Sequence, residues 1–199
     1  MFAMLPKKFI PLFCAAIALV FFASCSTSTP TSTAPSSAPQ DETVAAAEPL
    51  TVALAILAPT EGNQVSGSVK FRQIEDKVTI AVNLKGLQPD SVHAWHIHEF
   101  GDASSLDGKA MGGHYNPEGK PHGLPNNPER HAGDLGNLKA DSRGEVIREI
   151  NVNNITINGP KNPILGRGMI IHAETDDGGQ PTGNAGSRIA QGVIGLPKA

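Results

Sequence analysis

Six of the seven histidines fall in one ordered pattern between positions 96 and 172, and a fold of this chain has to accommodate them. Imidazole is the commonest metal ligand among side chains. An aspartate three residues after the last loop histidine adds an oxygen donor, and three nitrogens with one oxygen form a common tetrahedral zinc set. The remaining rings suit an all-nitrogen site, for which copper is the natural ion. The pattern predicts two metals side by side, with donors from His96, His98, His114, His122, His131, Asp134 and His172.

Short segments rich in β-branched residues, separated by turn residues, make up most of the chain beyond residue 49. Such segments predict strands, and no segment shows a convincing helical period. The predicted strands are Leu50–Leu57, Gln64–Arg72, Lys77–Leu84, Val92–Glu99, Glu145–Val152, Gly168–Ala173 and Arg188–Gly195. Several short strands with turns between them favour an all-β sandwich or barrel.

One long stretch, from Phe100 to Asp134, does not fit this strand pattern because it is dense in Gly, Pro and Asn. A loop of that length without regular structure is uncommon inside a compact domain unless a function or a ligand orders it. The stretch contains His114, His122 and His131 as well as Asp134. We therefore expect it to fold around a cation.

The histidines outside this loop lie on predicted strands. His96 and His98 are two residues apart, so their side chains leave the strand on the same face. The same rule places His93 on the opposite face, and we interpret it as a packed or surface histidine outside the metal set. His172 ends a strand-like run, and it becomes a ligand if its strand lies beside that of His96 and His98.

The first 48 residues precede the predicted domain. Residues 1–24 are typical of an export signal, with Lys7 and Lys8 before an apolar run. The segment 22–25 (FASC) resembles a bacterial lipobox, which implies a lipid on Cys25; Phe22 stands where Leu is usual, so plain secretory cleavage stays open. Residues 25–48 are rich in Ser, Thr, Pro and Ala and are predicted to be a linker to a single domain over residues 49–199.

Charge and cysteine content exclude other classes. Without the signal, 14 basic residues stand against 19 acidic ones, and no basic patch is present, so nucleic acid is not an expected partner. Cys14 lies in the signal, which leaves Cys25 with no cysteine to pair with. An exported domain of this size is then expected to depend on core packing and on metal.

Four segments, taken together, resemble the copper/zinc superoxide dismutases. They are 96–102 (HIHEFGD), 113–117 (GHYNP), 130–137 (RHAGDLGN) and 182–188 (TGNAGSR). The resemblance extends over the chain after the linker, and it implies a bacterial, exported member of the family. The implied fold is a Greek-key β-barrel or sandwich of about eight antiparallel strands with a long metal-binding loop.

The resemblance also implies roles for individual residues. Arg188 would attract and orient a small anion, and His114 would act in catalysis as a ligand shared by both metals. Asp176 would link His96 and His122 from outside the ligand set. The implied ligand sets are His96, His98, His114 and His172 for one copper, and His114, His122, His131 and Asp134 for one zinc.

The implied activity is the dismutation of superoxide to dioxygen and hydrogen peroxide, protecting the cell envelope from superoxide. An alternative is a non-catalytic module of the same fold that binds or delivers copper. A domain that binds zinc alone would leave His96, His98 and His172 without a role. Family members occur as dimers and as monomers, so a homodimer stays open.

Two departures from the family pattern stand out. Family members usually tie the long loop to the last strand by a disulfide, whereas this loop contains no cysteine and Gln191 occupies the partner position. We expect zinc to anchor the loop instead. The segment after Asp177 is short and lacks lysine and glutamate, so the guidance of superoxide is expected to depend largely on Arg188.

Overall fold

A computed structural model describes residues 50–198, so the predicted signal, linker and lipidated Cys25 lie outside the described residues. Within that range, the regular structure consists of eight strands and one three-residue 3-10 helix, Lys109–Met111. No helix in residues 50–198 is long and apolar enough to cross a membrane. The strands are β1 Val52–Pro59, β2 Ser66–Ile74, β3 Lys77–Lys85, β4 Val92–His98, β5 Asp134–Lys139, β6 Val146–Val152, β7 Gly168–His172 and β8 Arg188–Gly195.

The eight strands pair antiparallel in the order β5-β4-β7-β8-β1-β2-β3-β6. Strands β1, β2 and β3 are hairpin neighbours, whereas β4 and β7 pair across a long stretch of chain. The two end strands, β5 and β6, also lie close to each other. Arg148 on β6 donates a hydrogen bond to the carbonyl of Asn137 on β5 at 3.3 Å. The result is a nearly closed barrel, which confirms the predicted all-β, Greek-key architecture.

The barrel interior is filled by the apolar side chains that alternate along its strands. On β3, for example, Val78, Ile80, Val82 and Leu84 are buried, and the residues between them are more exposed. Trp95 on β4 joins this core. Removal of these side chains from water is the main force that closes the barrel. His96 and His98 leave β4 on the opposite face from Trp95, so these two predicted metal donors lie outside the barrel interior.

The long loop, residues 99–133, covers that outer face of β4. Its backbone is bonded to the strand: Tyr115 N–H donates to Ile97 O at 2.8 Å, and Ile97 N–H donates to Gly133 O at 2.9 Å. Consequently β4 is buried on both faces, and all of its residues after Val92 are buried. This is why the histidines of β4 are enclosed although they point away from the core.

Strand β5 was not among the strands predicted from the sequence. Its sequence, DLGNLK, contains no β-branched residue, and Gly136 has a φ of 81°, which glycine adopts without steric cost. The strand forms because its backbone pairs with β4, Asn137 lying opposite Ala94. Asp134 is thus the first residue of a strand rather than the end of a free loop, and its position is fixed by the sheet.

Candidate metal centre

The predicted zinc donors converge on the carboxylate of Asp134, which is fully buried. One carboxylate oxygen, Oδ1, lies 2.9 Å from His114 Nδ1 and 3.1 Å from His131 Nδ1. The other, Oδ2, lies 2.9 Å from His122 Nδ1. Tetrahedral zinc with bonds of about 2.0–2.2 Å holds its donors about 3.3–3.6 Å apart, only slightly farther than these distances. The four donor atoms also lie within 4.8 Å of one another.

Two buried ring nitrogens support the presence of a cation. Nε2 of His122 and Nε2 of His96 each bond the carboxylate of Asp176, at 2.9 and 3.0 Å. The opposite nitrogen of His96, Nδ1, has no hydrogen-bond partner among the described residues, and Nδ1 of His122 lies 2.9 Å from Asp134 Oδ2 without the geometry of a hydrogen bond. A buried polar atom without a partner costs free energy. A metal in each of the two donor groups would satisfy these Nδ1 atoms, one in each group. The residues therefore fit the implied ions.

The predicted copper donors form a second group, beside the first. His98 Nε2 and His172 Nε2 lie 3.3 Å apart, and their Nδ1 atoms contact the carbonyls of Gly112 at 3.1 Å and Gly186 at 3.4 Å. A carbonyl can only accept a hydrogen, so each Nδ1 carries the proton and each Nε2 presents a lone pair. Two lone pairs that face each other repel unless a proton or a cation lies between them.

His114 belongs to both groups. Its ring centroid lies 3.9 Å from that of His96 and 5.6 Å from that of His131. Its Nδ1 faces Asp134, which leaves Nε2 for the other group. An imidazole with one nitrogen in each group can bridge two metals.

Three imidazoles of the copper group, those of His96, His98 and His172, are held neutral, as metal ligands must be. Burial lowers the pKa of His96 to about 4, although the hydrogen bond to Asp176 opposes this shift. Burial, together with the charges of neighbouring histidines, also lowers the pKa values of His98 and His172. Near neutral pH these three rings can therefore bind a metal without first losing a proton.

His122 behaves differently because two carboxylates flank it. Burial opposes its positive charge, but interactions with Asp134 and Asp176 outweigh burial and raise the pKa of His122 to about 9. Burial likewise disfavours the charged carboxylates, yet hydrogen bonds from the surrounding histidines lower the pKa values of both. Zinc would have to displace a proton from His122 near neutral pH.

Asp176 is itself fixed by a residue that sequence reasoning did not assign to the site. Asn137 on β5 donates its Nδ2 to Asp176 O at 2.9 Å, and its Oδ1 accepts from Asp176 N–H at 2.8 Å. This pair of bonds orients the carboxylate that links His96 with His122. Asn137 lies within the segment RHAGDLGN, so the family resemblance contains the signal that could have identified it.

Arg188 lies at the start of β8, opposite His172 of β7. Its guanidinium donates to the carbonyls of Gly108 and Gly112, the latter at 2.6 Å. Gly112 O also contacts His98 Nδ1, so one carbonyl connects the arginine with the copper group. Burial lowers the pKa of Arg188, but guanidinium stays charged at any physiological pH. The site therefore has a fixed positive charge beside it.

The structure places His93 outside both groups. Its Nδ1 lies 2.9 Å from the carbonyl of His172, and its Nε2 lies 2.7 Å from Ser91 Oγ. The ring is buried, with 5% of the residue exposed. Both nitrogens are thus used in contacts with the neighbouring strand and turn.

Gln191, at the position where the family resemblance implies a disulfide partner, forms a hydrogen bond to the long loop. Its Nε2 donates to the carbonyl of Ser105, in the first half of the long loop, at 2.8 Å. Together with the two bonds from Arg188, this gives β8 three side-chain bonds to the loop between residues 105 and 112. The loop is attached to the last strand without a covalent bond.

Replacing Gln191 by alanine is expected to lower the free energy of unfolding by about 1 kcal/mol, the typical net value of one hydrogen bond. Urea denaturation of the purified protein measures this loss. Gln88→Ala, at an exposed turn position, is the matched control and is expected to change little. A Gln191→Ala protein as stable as the control would show that the bond to Ser105 does not anchor the loop.

Comparison with known proteins agrees with this geometry. A family model described as "Copper/zinc superoxide dismutase" matches residues 65–194. A solved structure titled "Crystal Structure Analysis of the clock protein EA4" is 37% identical in sequence, with a TM-score of 0.67, and the match covers 75% of this chain and 96% of that chain. The chain therefore belongs to the copper/zinc superoxide dismutase family.

Proposed function

We propose that this protein dismutates superoxide to dioxygen and hydrogen peroxide, with one copper and one zinc bound per chain. The observation that carries the proposal is that His114 belongs to two adjoining donor groups, one of four histidines and one of three histidines with an aspartate. Imidazole donors suit copper, and the mixed set suits zinc. Copper, when bound, would supply the redox couple that oxidises one superoxide and reduces a second.

The chain's own residues would supply binding, orientation and a proton. Arg188 attracts a small anion, and its bonds to Gly108 and Gly112 fix the guanidinium before the anion arrives. Such a preorganised charge costs no reorganisation during the reaction. The Nε2 atom of His114 can take up a proton and release it again, which would help to balance the two protons consumed for each peroxide formed.

The complete donor set favours catalysis over the alternative of copper storage or delivery. A delivery module has no need for a fixed cation, yet here Arg188 shares Gly112 O with His98. We also propose that the protein acts in the cell envelope, anchored to a membrane through a lipid on Cys25. The signal-like residues 1–24 and the segment FASC support this location.

Superoxide dismutation by the purified protein, with copper and zinc content verified, tests the proposal. We expect rapid turnover that falls about tenfold in Arg188→Ala, equivalent to about 1.4 kcal/mol of lost transition-state stabilisation. The rate of the Arg188→Ala protein should also depend less on ionic strength than the wild-type rate does. The neighbouring cation, Lys109, is paired with Asp107 at 2.8 Å and adds little attraction for the anion.

Arg72→Ala is the matched control, since it removes the same charge from an exposed position on β2. It is expected to leave the rate nearly unchanged. Full loading with both metals but negligible turnover would overturn the catalytic proposal and favour copper delivery. Failure to retain copper would exclude both functions.

A further inference from the structure

The turn formed by residues 177–184 is directed at the zinc group. In the sequence, the part of this turn after Asp177 stands out only because it is short and lacks lysine and glutamate. In the structure, Gln180 of this turn reaches His122 of the long loop, 58 residues away in sequence. Gln180 Nε2 donates to His122 O at 2.8 Å, and Gln180 Oε1 accepts from His122 N–H at 3.1 Å. Both backbone polar groups of His122 are thus bonded by one side chain.

The turn is closed by its own hydrogen bonds. Gly183 N–H donates to Gly179 O at 2.6 Å, and Asp177 N–H donates to Gly183 O at 3.0 Å. The side chain of Asn184 donates to Asp177 Oδ2 at 3.0 Å. Gln180 therefore extends from a compact turn rather than from a long, unsupported loop.

The backbone of the turn also lies directly against the hydrogen bond between Asp176 Oδ1 and His122 Nε2. A Cβ atom added to Gly183 would lie 2.1 Å from Asp176 Oδ1 and 2.7 Å from His122 Nε2. Gly183 also has a φ of 73°, which other residues rarely adopt. Only glycine can occupy this position, so the backbone of the turn packs directly against Asp176 and His122.

These contacts together restrain His122 from two sides. Asp176 holds the ring through Nε2, and Gln180 holds the backbone, while Nδ1 is left facing Asp134. A ligand whose ring and backbone are both held loses little freedom when it binds a metal. We propose that Gln180 is a positioning residue that sets His122 for zinc; this inference rests on the proposed assignment of zinc to that donor group.

The inference predicts that Gln180→Ala and Gln180→Met weaken zinc binding by about 10–100-fold, the usual effect of losing a residue that supports a ligand. Methionine keeps most of the volume of the side chain but cannot form either hydrogen bond. Competition between the purified protein and a chromogenic chelator for Zn²⁺ alone measures the affinity. Gln88→Ala, which changes the same residue type at an exposed turn, is the control.

Cobalt(II) provides a second readout that does not depend on activity. Tetrahedral Co²⁺ absorbs strongly in the visible range, so a displaced His122 would shift or weaken the bands of cobalt bound in the zinc group. A role confined to folding would lower the stability of the metal-free variants without changing the cobalt spectrum of their folded form. That outcome, or wild-type zinc affinity in Gln180→Met, would overturn the inference. A wild-type protein that binds no zinc would instead overturn the zinc assignment itself.

Discussion

Removing the metals from the purified protein with a chelator is expected to lower its melting temperature by about 8–16 °C. A ligand present at about a thousand times its Kd stabilises the folded state by about 4 kcal/mol. In a protein of this size, each kcal/mol corresponds to roughly 2–4 °C. Differential scanning calorimetry before and after chelation measures the shift.

The expected effect is large because of where the predicted zinc donors lie. His114, His122 and His131 all lie in the long loop, and Asp134 begins β5, so one ion would connect the loop with the sheet. The described residues contain no cysteine, and a hydrogen bond from Gln191 to Ser105 joins the last strand to the loop where the family resemblance implies a disulfide.

The control for chelation is the addition of zinc alone, which should restore most of the lost stability if zinc rather than copper anchors the loop. A reductant should leave the melting temperature of the metal-free protein unchanged, because residues 50–198 contain no cysteine. An unchanged melting temperature after complete metal removal would contradict the anchoring role of zinc.

The metal-free protein is expected to be most stable near pH 6.5 and to lose stability on either side. His122 has its pKa raised from 6.5 to about 9, so its contribution is fully present below pH 6.5 and is lost as the pH rises through 9. A shift of this size corresponds to stabilisation on the order of 3 kcal/mol. Because His122 is buried, solvent screens this contribution little.

Below pH 6.5, the stability of the metal-free protein changes with pH in the opposite direction. The pKa of His96 is lowered to about 4, and that of His172 is lowered as well, so the unfolded chain binds more protons than the folded chain between pH 4 and 6.5. Stability therefore falls as the pH decreases through this range. The lowered pKa values of Asp134 and Asp176 add a further loss below about pH 4.

Urea denaturation of the metal-free protein from about pH 4 to about pH 10 measures this profile. The zinc-loaded protein is the comparison, because zinc replaces the proton on His122 and should remove most of the alkaline decline. A metal-free protein whose stability stays constant between pH 6.5 and 10 would contradict the raised pKa of His122.

The strands were the part of the fold most accessible to prediction. Segments such as Lys77–Lys85 alternate apolar and polar residues, and burial of one face follows directly from that period. Strand β5 was missed because DLGNLK has no such pattern, and its conformation is imposed by pairing with β4. The local sequence pattern therefore predicted the strands of the barrel except β5, whose conformation depends on pairing with β4.

The sequence by itself predicted which histidines and which aspartate would gather into two candidate metal-binding groups, because imidazole and carboxylate groups at these spacings have few other uses and together resemble one family. Only the tertiary structure decided what holds those donors in place. Gln180, Asn137 and Gln191 act through hydrogen bonds to backbone groups. An amide side chain has no distinctive spacing, and its partners lie 39 to 86 residues away in sequence. Such contacts exist only after the barrel has brought distant loops together, so no local pattern can encode them.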